Sequence, residues 1–78
     1  MQEKSLARCL RSFQNRRPFR PFIVEFVDGN HIVVEYPEAV RYDGKGTAVH
    51  FGKHGALALF DHEGVSRVTN IAPARAEA

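Results

Sequence analysis

The chain has a single cysteine, no long apolar run and no catalytic or metal-binding signature, and each of these narrows what it can be. Cys9 is alone among 78 residues, so no internal disulfide can form, which favours a reducing compartment. The longest unbroken apolar stretch runs from Ala56 to Phe60, far short of the roughly 20 residues a membrane helix needs. In the first twenty residues Lys4, Arg8, Arg11, Arg16, Arg17 and Arg20 leave no space for the apolar segment of a signal peptide. A cytoplasmic chain with no membrane partner is therefore expected.

Candidates for chemistry are present but do not assemble into a pattern. His31, His50, His54 and His62 are the histidines. His50 and His54 are four apart, yet a glycine-containing turn separates them, and zinc needs three or four ligands in a defined geometry. They read as surface and turn residues, and neither a metal nor a cofactor is expected. Cys9 falls on an apolar helical stripe, where a free cysteine behaves as a small hydrophobe. Asp61-His62-Glu63 before Gly64 looks like an acid–base cluster on paper but reads as a solvated turn between strands. Gly44-Lys45-Gly46-Thr47 contains fragments of a phosphate-binding loop without its full spacing, and a strand follows where a helix should open. No small-molecule substrate is identifiable, and the chain is expected not to be an enzyme.

What is present is the composition of an ordinary globular domain, 44% hydrophobic and 26% charged. Seventy-eight residues are too few for two cores, so a single domain over 1–78 is expected. A core of this size stabilises a fold by only ~3–5 kcal/mol, which makes self-association an expectation.

The net charge of +2 is unevenly spread. Residues 1–20 carry six basic side chains against Glu3 and stand at +5, while residues 21–78 carry five basic against eight acidic and stand at −3. Arg8, Arg11, Arg16, Arg17 and Arg20, interleaved with Phe13, Phe19 and Phe22, are the candidate residues for holding phosphates and stacking bases of a nucleic acid or other polyanion. The competing reading is a solvated helix face that keeps the segment soluble while the phenylalanines fill the core.

Periodicity then places the elements. Leu6, Cys9, Leu10 and Phe13 recur at helical spacing, predicting a helix over about 2–14 that ends before Pro18 and Pro21. Residues 21–71 form the β-rich body. Phe22, Val24 and Phe26 alternate in one strand, Ile32, Val34 and Tyr36 in the next, with the hairpin signal Asp28-Gly29 between. A two-residue loop would set Phe22 against Glu35. An odd loop, Val27-Asp28-Gly29 with Gly29 left-handed, pairs Val24 with Ile32 and Phe22 with Val34 and yields one apolar face. The odd loop is the expectation, with Phe22, Val24, Phe26, Ile32 and Val34 buried and Glu25 and Glu35 outward.

Pro37 to Gly46 reads as a loop, and Thr47–Phe51 and Ala56–Phe60 as strands across the Gly52–Gly55 turn. Val65, Val68 and Ile71 fit neither period, so a bulged last strand is expected, followed by a flexible tail over 72–78. The fold class is mainly β: an N-terminal helix and about five short antiparallel strands in a bent sheet or small barrel.

The run Arg17-Pro18-Phe19-Arg20-Pro21-Phe22, with Asp28-Gly29 and Tyr36-Pro37-Glu38, resembles a group of small bacterial proteins. They share an Arg-Pro-Phe-x-Pro-Phe opening, an Asp-Gly hairpin and a His-Pro-Glu-like strand end. The resemblance covers about residues 17–40 closely, with Tyr36 where the pattern has histidine, and implies no particular activity. The order of elements is also similar to Sm-like and SH3-like small barrels. An Sm-like chain would be expected to form rings and bind RNA, although Glu63-Gly64 here replaces that family's Arg-Gly step. The leading expectation is a non-enzymatic binding or assembly module that forms homo-oligomers; the alternative is a nucleic-acid-binding small barrel using the basic N-terminal segment.

Overall fold

A computed structural model describes residues 1–71; the tail expected over 72–78 lies outside the described residues. Helix α1 spans Glu3–Gln14, with Glu3 in its first turn and Arg11 in its last, both favourable to the helix dipole. The helix buries Leu6 and Leu10 completely, while Cys9 and Phe13 on the same stripe are half-buried. The Arg17–Pro18 peptide is cis, and the chain then enters six strands. These are β1 (Phe22–Phe26), β2 (His31–Val34), β3 (Val40–Tyr42), β4 (Thr47–Phe51), β5 (Leu57–Asp61) and β6 (Val65–Asn70).

The strands form two antiparallel sheets, ordered β2-β1-β6 and β3-β4-β5, not one closed barrel. Two expectations are corrected here. Among the described residues there are six strands, not about five, because residues 37–46 are not all loop. A 3-10 turn over Pro37–Ala39 delivers the chain into β3. That strand is three residues long, too short to show a period of two. The barrel stays open because hydrogen-bonded pairing links neither sheet to the other.

The hairpin register is the expected one. Phe22 faces Val34 and Val24 faces Ile32, with Gly29 at φ 93° in the odd loop. The alternative register would turn apolar side chains towards solvent. The last strand carries the expected irregularity, a shift between Glu25 and Phe26 where β1 meets β6.

Leu6, Leu10, Phe22, Val24, Val34, Ala39, Val40, Ala48 and Val65 make one core drawn from the helix and both sheets. Phe13 and Phe19 close on Phe22 at ring distances of 5.1 and 6.1 Å, so the Pro-Phe crossing is pinned from inside. Phe26 and Ile32, expected to be buried with their neighbours, are only half-buried, because they reach the open corner between β2 and β5. Phe26 meets Phe60 there at 5.3 Å. Gly46, at φ 109°, is obligatory for a second reason: a Cβ would sit 2.7 Å from the His62 ring.

Candidate functional site

Two open sheets leave four strand edges, each a row of backbone groups able to pair with another chain. On three of them a backbone carbonyl accepts a hydrogen bond from outside the sheet's own pairing. Along β3, the Gln14 amide donates to the carbonyls of Pro37 and Val40, both at 2.7 Å, and the Tyr42 hydroxyl donates to the Glu3 carbonyl at 3.3 Å. Partial burial and the Glu3 charge raise the Tyr42 phenol above its ordinary value of 10.0. Helix α1 thus lies over that edge.

Along β6, the amino group of Met1 donates to the Val65 carbonyl at 2.7 Å and the His62 carbonyl at 3.1 Å. Arg16 donates to the Asn70 side chain at the other end of the strand. On β2, the Phe26 N–H donates to the Asn30 carbonyl, so Asn30, Ile32 and Val34 turn their backbone towards β1 and His31 and Val33 turn outward. The outward carbonyl of Val33 then accepts from His50 Nε2 at 3.1 Å.

The β5 edge differs. Gly52 N–H donates to the Ala56 carbonyl and His62 N–H to the Gly46 carbonyl, and the register between them has no shift. Ala56, Ala58, Phe60 and His62 therefore direct their backbone at β4, and Leu57, Leu59 and Asp61 direct theirs away. Among the described residues nothing covers those groups.

The side chains on this edge are as bare as its backbone. Leu57 is 65% and Leu59 76% exposed, and on β4 their cross-strand partners Phe51 and Val49 continue the same outer face. Beside it lies a cavity of about 300 Å³ at the open corner, lined by Phe26, Val27, Ile32, Ala58 and Phe60 among others. Val27 at its rim is 71% exposed. Three of the six exposed large hydrophobics among the described residues, Phe51, Leu57 and Leu59, thus share the outer face of this edge. Lone exposed leucines are ordinary; a contiguous group on an unpaired edge marks an interaction surface.

The arginines singled out by charge are not gathered into one site. Arg8 and Arg11 are exposed on α1, and Arg17 and Arg20 are exposed on the crossing to β1. Arg16 is half-buried and structurally engaged: its guanidinium donates to Asn70 and to the Arg20 carbonyl and lies 4.7 Å over the Phe13 ring. Arg17 donates to the Arg16 carbonyl. A cleft of about 550 Å³ between α1 and β3 sets Arg11 and Arg41 against Glu38 and Asp43, so it has no single sign of charge.

The other candidates occupy local roles. His62 Nδ1 donates to the Met1 carbonyl at 2.9 Å, and the Asp61 carboxylate accepts from the His62 N–H, which makes Asp61-His62-Glu63 a capped turn. In the Gly44–Gly46 turn the Asp43 carboxylate accepts from the Lys45 and Thr47 N–H groups at 2.6 and 3.1 Å, and these bonds hold its pKa below 3.8. Among the described residues no three His, Cys, Asp or Glu side chains converge on a metal position, and no helix is long and apolar enough to cross a membrane. Comparison with protein-family models, curated proteins and solved structures finds no match.

Proposed function

We propose that this chain is a non-enzymatic binding and assembly module that associates with copies of itself. The observation that carries this reading is the bare β5 edge with its exposed leucines, in a molecule where each of the other three edges has a carbonyl bonded from another part of the chain. A free, flat, apolar edge left to chance invites aggregation, and a stable partner removes that hazard. The small core adds a motive, since burying further apolar surface between copies stabilises both. Native mass spectrometry together with light scattering over a dilution series tests it. The expected result is a discrete oligomer that dissociates on dilution; a monomer at every concentration excludes self-assembly.

A second reading rests on the exposure of Arg8, Arg11, Arg17 and Arg20 along one segment. If each neutralises one phosphate of a single strand, the logarithm of affinity falls with log salt at a slope of about −3, at ~0.7 per contact. Fluorescence anisotropy with labelled single-stranded RNA, repeated with Arg8→Glu and Arg11→Glu combined, decides it: no binding at low salt removes this reading. Arg16 is unsuitable for that test, since its loss also frees Asn70 on β6.

A further inference from the structure

We propose that the partner on the β5 edge is a second copy of this chain, added antiparallel through a twofold axis beside Ala58, so that Leu57 of each copy faces Leu59 of the other. This rests on the assembly reading above and makes it specific. The backbone sets the choices. Only Leu57, Leu59 and Asp61 offer outward N–H and C=O groups, so a twofold pairing must match these among themselves or with Gly55. Centring the axis on Leu59 sets Leu59 against its twin but lays the mate's Asp61 carboxylate beside Leu57, and centring it on Phe60 lays that carboxylate beside Leu59. Centring it on Leu57 leaves Leu59 opposite Gly55. Centring it on Ala58 matches leucine with leucine twice and leaves Asp61 opposite Gly55, where no side chain competes.

That register extends the outer face without a break. Phe51 and Leu57 of one copy continue into Leu59 and Val49 of the other, and the symmetry repeats the row in reverse. Two three-stranded sheets become one of six strands, with both free edges consumed.

The sequence around the strand favours a like copy over an unrelated one. Between Ala56 and Phe60 there is no charge to repel an identical segment. Asp61 and Glu63 follow the strand and no acidic residue lies between Gly52 and Ala56 before it, so an antiparallel mate keeps the two acidic ends apart. Edge strands that must stay single commonly carry a lysine or a proline, and this one carries neither.

The test is a cysteine scan in a Cys9→Ser background, with diamide as the oxidant that takes up the two electrons and two protons of each thiol pair. Across the proposed axis the two Ala58 residues form a non-hydrogen-bonded pair with Cα atoms about 4.5 Å apart, within the range a disulfide spans. Ala58→Cys is expected to give a covalent dimer, and Leu59→Cys, displaced from its twin by the register, to link at least about tenfold more slowly. Leu59→Lys in the otherwise unchanged chain is expected to weaken association by about 30-fold or more, since each copy loses a central interface side chain, with its circular dichroism spectrum unchanged. Faster linking of Leu59→Cys overturns the register. An oligomer that Leu59→Lys leaves intact, with no Ala58→Cys link, overturns the β5 interface while the assembly reading stands. A wild-type chain that is monomeric throughout overturns both.

Discussion

Where β3 runs beside α1, one glutamine amide satisfies two carbonyls and a tyrosine hydroxyl a third; where β5 runs along the opposite edge of the same sheet, Leu57, Leu59 and Asp61 face outward with no partner among the described residues. The two edges belong to one small sheet, yet one is bonded to the helix and the other is bare. Strand composition does not make the difference, since both strands mix apolar residues with one charge. Position does. The helix can lie over only one side, and its apolar stripe of Leu6, Leu10 and Phe13 puts it against the core, so Gln14 at its last position reaches β3.

The widest separation of the two sides is expected from Phe22→Ala. Phe22 is fully buried under α1 and touches the rings of both Phe13 and Phe19. Truncation is expected to cost ~3–5 kcal/mol, comparable with the whole stability of so small a domain. A urea melt should show a chain unfolded or nearly so without denaturant. Phe26→Ala, at the half-buried open corner, is expected to cost less than Phe22→Ala, and equal losses would show that the corner is closed in solution.

Gln14→Ala comes next. It removes two hydrogen bonds and leaves the Pro37 and Val40 carbonyls under the helix unsatisfied, an expected loss of about 1–2 kcal/mol in the same melt. A loss near zero would mean that the helix does not seal the β3 edge.

The sequence disclosed the helix and the first hairpin better than either edge of the second sheet, for physical reasons. The α1 stripe and the β1–β2 register follow from local periods and from Asp28-Gly29, whose left-handed glycine allows the odd loop. The strand β3 was hidden by its length, and Gln14 gave no sign of its role because its partners lie 23 and 26 residues away. The engagement of Arg16 with Asn70 spans 54 residues and is equally invisible locally, so charge alone put Arg16 among the candidate ligands of a polyanion. Ala56–Phe60 was readable as a strand, but which of its alternate residues face outward depends on the β4 register. That its edge stays free depends on strand order, and neither quantity is written in any local window.

A smaller effect separates the turn at the base of β4 from both edges. The Lys45 and Thr47 N–H groups hold the Asp43 carboxylate in its charged form, so its folded pKa lies below 3.8. The unfolded chain therefore takes up this proton first as pH falls, and the contribution of Asp43 is fully present above its unfolded pKa. It is lost as pH drops through the folded one. Asp43 is exposed, so the effect is modest and screened by salt. Asp43→Asn keeps an acceptor in place without the titration. Thermal melts from about pH 5 to about pH 2 should show a shallower acid decline in the variant than in the wild type; superimposable declines would mean that the turn bonds do not persist.

The smallest effect on the fold is expected where association changes most. Leu59→Lys alters a side chain that is 76% exposed on a residue whose backbone groups face outward, so the isolated fold should lose no more than ~0.5 kcal/mol. Measured at high dilution, where any oligomer has dissociated, wild type and variant should melt together in urea. At high concentration they should diverge, because association adds to the wild type's apparent stability a term that grows with the logarithm of protein concentration and the variant lacks it. The two sides of the sheet thus make opposite demands. On the β3 side a substitution costs the same at every concentration, whereas on the β5 side its cost vanishes on dilution. If the Leu59→Lys loss persists unchanged at high dilution, Leu59 supports the single fold, and the edge is not bare in the sense its exposure implies.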